Sequence, residues 1–307
     1  MKPFLSGCDF SNPDKLNITT NDKWVSIHPV ILCLVAALGL TVERDQITCD
    51  KITAASGNYL ERMKLFSMLG IKSGIRIEEH DSSGRFIPLM RIRNSDDLTH
   101  FLTEMIPLLH LSPKHADPIR YIVSELVRNV LEHSESRYGA VVCAQYNAKS
   151  NTIRVGIADT GVGIKRTINQ SYSAKTHKEA IRLALIPGIT GTTRREGGTE
   201  LNAGAGLFFI KSIAYINKSP FLIYSGDTFY KLLKRKDKKK VPLYADPTQD
   251  RHTFQEHLPE FQGTMVAVDI SLEKTTEFDA LLRLIGATYQ QAVKERRKER
   301  YKKARFV

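Results

Sequence analysis

The chain has 307 residues, of which 42% are apolar and 25% charged, and it carries a formal net charge of +12. One large or two ordinary domains with full apolar cores fit these values, and the positive charge suits an acidic partner. The longest apolar run, residues 29–40, is too short to span a bilayer and reads as a buried helix, so no membrane attachment is expected.

No secretory signal opens the chain. Cys8, Cys33, Cys49 and Cys143 lack metal-ligand spacing, and four reduced thiols in a cytoplasmic protein are expected. Residues 1–95 read as a small α/β domain. Residues 24–27 are an expected strand, 29–40 a helix, 46–50 a short strand, and 58–69 a helix stopped by Gly70. Residues 75–79 and 87–92 read as a hairpin around Asp81-Ser82-Ser83-Gly84. The stretch YLERMKLFSMLGI, residues 59–71, resembles the STAS-like domains of bacterial regulators. A packing module without a ligand is the alternative.

A second unit spans residues 96–273. Residues 96–109 and 117–133 are expected helices, and 139–147 and 152–159 are strands joined at Ala148-Lys149-Ser150-Asn151. Residues 178–185 read as a helix. Residues 187–206 hold six glycines and no apolar periodicity, a composition suited to a mobile lid over a ligand. A glycine turn then enters the apolar helix of NAGAGLFFIKSIA, residues 202–214. Residues 221–225 and 264–272 add strands, interrupted by a basic polar insertion at about 228–262. Residues 274–307 close the chain as a basic helix beginning near Glu277.

Three stretches carry chemistry. In IVSELVRNVLEHS, residues 122–134, Glu125, Asn129 and Glu132 fall within about 60° of one helix face. Ile122, Val123, Leu126, Val127 and Val130 take most of the rest, so the helix should be buried, where a carboxylate and an amide side by side need a reason. IADTGVGI, residues 157–164, is an apolar strand ending in Asp159, followed by Gly161 and Gly163, which let backbone approach a ligand. Gly204 and Gly206 precede Leu207, and the amides at such a helix start attract phosphate. Blander roles stay open: Asp159 capping a turn, Asn129 as a structural amide, Glu125 as a supporting carboxylate, His133 finishing its helix.

In this order, and with Gly263-Thr264 opening a late strand, the pieces resemble the GHKL ATPases: gyrase, heat-shock chaperones, histidine kinases and MutL. The wording ELVRNVLEHS resembles the anti-sigma-factor kinases. The resemblance implies an α+β fold, a Bergerat-type two-layer sandwich of helices on a mixed sheet, with ATP and Mg²⁺ as cofactors. It implies that Asp159 accepts a hydrogen bond from the adenine amino group, that Gly161 and Gly163 pass under the base, and that Thr264 lies beside it. It gives Asn129 to Mg²⁺, which favours oxygen ligands, and Glu125 the place of general base. Gly204, Gly206 and Leu207 fall on the phosphate side. On the lid, Thr190, Thr192, Thr193, Arg194 and Arg195 offer hydroxyls and guanidinium groups to phosphate, or a solvated loop. No histidine-bearing dimerisation helix precedes the unit, which argues against a sensor kinase.

The expected function is regulatory. The protein binds Mg-ATP and hydrolyses it slowly, or transfers the phosphoryl group to a protein partner as a serine/threonine kinase does, with lid closure controlling partner contacts. One rival is a non-catalytic ATP-sensing adaptor. Another is a nucleic-acid-associated ATPase. Its contacts would be KLLKRKDKKK, from Lys231 to Lys240, and KERRKERYKKAR, from Lys294 to Arg305; as plain charge runs both also read as solvated faces. A homodimer is compatible with the sequence.

Overall fold

The computed structural model describes residues 2–19, 27–50, 56–75, 85–191, 205–234, 243–272 and 278–302. The amino-terminal part contains α1 (Lys2–Ser6), β1 (Leu16–Ile18), α2 (Pro29–Gly39), β2 (Ile47–Cys49), α3 (Gly57–Arg62), α4 (Leu65–Leu69) and β3 (Phe86–Ile92). Then follow α5 (Ser95–His100), α6 (Pro113–His133), β4 (Ala140–Asn147), β5 (Thr152–Asp159), α7 (Gly163–Asn169), α8 (His177–Ala184) and α9 (Gly206–Ile216). The last elements are β6 (Phe221–Gly226), β7 (Thr228–Leu232), β8 (His252–Gln255), β9 (Phe261–Ser271) and α10 (Phe278–Lys302).

The fold is α+β, built on a large antiparallel sheet of order β3-β4-β5-β9-β6-β7-β8. The expected mixed sheet is not found: every pairing among these strands is antiparallel. The connection through α7, α8 and α9 does carry the chain from β5 to a parallel β6. However, β9 runs antiparallel between them and pairs with both. Among the described residues the one parallel pair, β1 with β2, forms a separate two-stranded sheet.

Helices cover both faces of the sheet, not one as expected. Val142, Val155, Ile157, Ile223 and Val266 share a core with the apolar faces of α6, α9 and α10. The alternate residues Val141, Cys143, Ala158, Tyr224 and Met265 pack with Val30, Cys33, Leu34 and Ala37 of α2. Period-two alternation on a strand explains this split. The Cys33 and Cys143 thiols lie 3.4 Å apart, and Cys33 donates to the Gly156 carbonyl at 3.1 Å. At the start of α2, His28 Nδ1 accepts from the Val30 amide, so Nε2 carries the proton that Asp269 Oδ1 receives at 2.9 Å.

Several elements differ from expectation for local reasons. Residues 24–26 and 76–84 lie outside the described residues, and β3 pairs with β4 rather than within a hairpin of its own. The boundary drawn at residue 95 therefore falls beyond a strand of the large sheet. The helix expected over 58–69 is two helices, broken where Lys64 takes a φ of 61°. The Met63 carbonyl instead accepts from the Leu89 amide at 3.0 Å, tying the break to β3. Only α5 is regular helix within 96–109, and Pro107 deprives the following turns of a donor. The expected insertion at 228–262 supplies β7 and β8, with Phe229, Tyr230 and Leu232 buried.

A buried ion pair fixes this edge. Lys211 of α9 donates to Asp250 at 2.5 Å and to the Tyr244 carbonyl at 3.2 Å, with both charged side chains fully buried. Nearby, Arg182 of α8 holds Asp246 at 2.6 Å. Burial pulls the Asp246 carboxyl up, but hydrogen bonds from Arg182 and Thr248 outweigh it and hold it at about 2. Removing one member of a buried pair strands the other charge, at about 3–5 kcal/mol. Lys211→Met should lower unfolding stability by that order in urea titration, and adding Asp250→Leu should restore most of the loss.

Candidate functional site

Strand β5 ends at Asp159, only 2% exposed, in the middle of the sheet. The chain turns there through Thr160 and Gly161 into α7. Asp159 Oδ1 accepts from the Gly161 amide at 2.8 Å, so the turn-capping role is realised. Burial raises the Asp159 carboxyl to about 7, although the Gly161 hydrogen bond opposes that shift.

Helix α6 brings the second set of residues to the same place. Pro113 occupies its first turn, and its apolar stripe, Ile119, Ile122, Val123, Leu126, Val127 and Val130, is buried on the sheet. Its end docks directly on the β5 turn. The Val162 amide donates to the Ser134 carbonyl at 2.7 Å. A Cβ on Gly161 would lie 2.0 Å from that same oxygen, so no other residue fits there without moving the helix. Gly161 thus has a packing role and does not line the cavity described next.

A cavity of about 110 Å³ opens between α6, the β5 turn, α7 and α9. Asn129, His133, Asp159, Gly163, Leu207 and Thr264 line it. Two polar atoms in this lining, Asn129 Nδ2 and His133 Nδ1, are buried with no hydrogen-bond partner among the described residues. Such groups cost free energy unless a partner arrives. An amide can present either its nitrogen or its oxygen by rotation, so Asn129 can also offer an acceptor. Thr264 sits on β9 between Asp159 and Ser225, paired in register with both. Ser225 Oγ accepts from the Ile164 amide at 3.1 Å and donates to the Gly263 carbonyl at 2.7 Å, tying the start of α7 to β6 and β9.

Glu125 lies one turn before Asn129, beside the start of α9. A Cβ on Gly206 would lie 2.8 Å from Glu125 Oε2 and 3.6 Å from Asn129 Nδ2, so glycine lets the helix start approach these side chains. Among the described residues no side chain caps that start. Burial raises the Glu125 carboxyl; Arg128, at 3.9 Å, lowers it and Glu132 raises it further. Among the described residues no group of three or more His, Cys, Asp or Glu side chains could hold a metal. An ion here would therefore need ligand oxygens besides Asn129.

The structure thus gathers Asn129, Asp159, Gly163, Leu207 and Thr264 around one cavity and sets Glu125 and Gly206 at its margin. Thr192, Thr193 and Gly204, with Arg194 and Arg195, lie outside the described residues. Lys165 and Arg166 do not line the cavity, and Arg166 faces Glu135 at 3.7 Å. The sequence favours for His133 the task of ending its helix, yet the structure places it in the lining; its spacing from Asn129, one turn on, is the available signal. A larger cleft of about 1190 Å³ lies behind the turn, against α2, and gathers none of Glu125, Asn129 or Asp159.

No family model and no curated protein sequence matches the chain. Among the described residues no helix is long and apolar enough to cross a membrane.

The Asp159 environment makes a test of its own. A carboxyl whose folded pKa is raised binds more protons folded than unfolded between the ordinary carboxylate range and about 7. Its contribution to stability is therefore full at low pH and lost as pH rises through that window. Asp159→Asn removes the ionisation, so the variant's stability relative to the parent should grow by on the order of 2 kcal/mol from pH 5 to pH 8. Urea titrations of both proteins at the two pH values check this. A gap independent of pH would mean that Asp159 is not held in a desolvating environment.

Proposed function

We propose that the chain is an Mg-ATP-binding regulatory protein that hydrolyses ATP slowly or passes its terminal phosphoryl group to a hydroxyl of a partner protein. The observation that carries this reading is the cavity itself: a buried carboxylate that shares its lining with two buried polar atoms lacking partners among the described residues, beside the start of α9. The order of motifs resembling GHKL ATPases supports the same reading.

In this proposal Asp159 accepts a hydrogen bond from the adenine amino group, and Thr264 borders the base from β9. Mg²⁺, when bound, neutralises phosphate charge, and Asn129 supplies a protein oxygen to it. The first amides of α9 face the phosphates, with Gly206 giving the close approach. Glu125 takes the proton from an attacking water or hydroxyl; the new bond forms to the γ-phosphorus, the bond to the β–γ bridging oxygen breaks, and ADP leaves. Burial raises its carboxyl above the ordinary carboxylate range, which makes it a stronger proton acceptor once ionised. Lid closure over the occupied site then alters the surface offered to a partner.

Two variants separate catalysis from binding. Glu125→Ala should reduce phosphate release or transfer about 10²–10⁴-fold while a non-hydrolysable ATP analogue still binds. Asn129→Ala should lose more affinity in Mg²⁺ than in EDTA. Turnover within twofold of the parent in Glu125→Ala would remove the base assignment. Nucleotide binding without any turnover in the parent would favour an ATP-sensing adaptor.

A further inference from the structure

Helix α10 is two-sided. Leu281, Ile285, Tyr289 and Val293 are buried in the core shared with α6 and α9. Tyr289 packs on Phe208 and Phe209 with ring centroids 6.4 and 6.0 Å away, and Phe278 meets Tyr121 at 5.8 Å. At about 100° per residue, Lys294 and Lys298 fall opposite this row and Arg297, one turn beyond Val293, lies at its edge, where its charge acts on Tyr289; the three span an arc of about 100°. All three are exposed, and the acidic residues of this stretch, Glu295 and Glu299, project off that arc. Arg283 continues the row one face length earlier, where Asp279 partly offsets it.

Arg296 breaks the pattern. It turns inward and donates to the Pro187 carbonyl. Pro187 follows α8 closely, and Ala184, the last residue of α8, lines the candidate cavity. One arginine of the basic helix therefore holds a segment that leads into the site, while its neighbours face outward.

We propose that the outer face of α10 docks the phosphate backbone of duplex nucleic acid, and that this docking is linked to occupancy of the cavity through Arg296 and Pro187. Charge density favours this partner. Lys294, Arg297 and Lys298 fall within about 6 Å of helix rise, or roughly one cation per 2 Å. A duplex carries about one negative charge per 1.7 Å, a density that an acidic protein surface rarely sustains. A membrane is disfavoured, because Leu284 is the one exposed large hydrophobic residue among those described, leaving no apolar face to insert. The docking is non-specific in sequence, since lysine and arginine on phosphates position without reading bases.

Fluorescence anisotropy with a labelled duplex of random sequence, titrated over a range of salt, tests the docking on the full chain. Three phosphate contacts predict a slope of log affinity against log salt of about −3 or steeper. Lys294→Gln/Arg297→Gln/Lys298→Gln should flatten it by about 3 without altering the circular dichroism spectrum. Absence of duplex binding, an unchanged slope in the triple variant, or tighter binding to polyglutamate or anionic vesicles would each overturn the docking. The linkage rests on the nucleotide reading and has its own arm. A non-hydrolysable ATP analogue with Mg²⁺ should shift the duplex affinity of the parent, and Arg296→Gln should abolish that shift while leaving nucleotide-free duplex affinity within twofold. An analogue that binds by calorimetry yet shifts nothing would overturn the linkage alone. An analogue that does not bind would overturn the linkage and the nucleotide reading together, with the docking intact.

Discussion

The contact between the end of α6 and the turn after β5 sets the geometry of the site. The Val162 amide bonds the Ser134 carbonyl, and Gly161 leaves no room for a side chain against it. This single junction fixes how far α6 slides along the sheet. Asn129 and His133 are carried on that helix, and Asp159 on the strand. A shift of one helical residue, about 1.5 Å along the axis and about 100° around it, would turn Asn129 away from the cavity. Strand β9 holds the other side, because Thr264 is paired with both Asp159 and Ser225.

The arrangement sets stability against recognition. Asp159 is buried where its ionised form is disfavoured, and Asn129 and His133 present buried nitrogens with no partner among the described residues. Packing alone would be served better by apolar side chains at all three positions. A ligand that brings donors and acceptors to these atoms supplies hydrogen bonds that apolar packing does not. Costs of this kind cluster at functional sites because the surrounding structure sustains them. Here the buried stripe of α6, the α9–α10 packing and the Lys211–Asp250 pair provide that surrounding structure.

The candidate site was more legible in the sequence than the sheet around it, for a physical reason. Glu125 and Asn129 share a face through helical period, and Asp159 ends a strand beside glycines; both are local patterns. Sheet order depends on pairings between distant segments. Nothing near residue 264 says that β9 enters between β5 and β6, and nothing near residue 86 says that β3 joins β4. Strands β7 and β8 were hidden because lysines follow the buried alternation of Phe229, Tyr230 and Leu232. The break at Lys64 could not be read locally either, since the Met63 carbonyl is claimed by Leu89. His133 became a lining residue only when the cavity gave its buried nitrogen a direction to face.

In the proposed role, the buried Asp159 carboxylate selects a ligand carrying an amino donor. Adenine presents an amino group where guanine presents a carbonyl oxygen, which would leave Asp159 facing an acceptor. Calorimetric titration of the full chain at pH 8, above the Asp159 pKa of about 7, with non-hydrolysable analogues of ATP and GTP, each with Mg²⁺, separates the two. The account predicts saturable binding of the ATP analogue at one site per chain and binding of the GTP analogue weaker by at least tenfold, the consequence of about 1.4 kcal/mol or more from one mismatched buried polar contact. Equal affinities for the two analogues, or no binding of either, would contradict it.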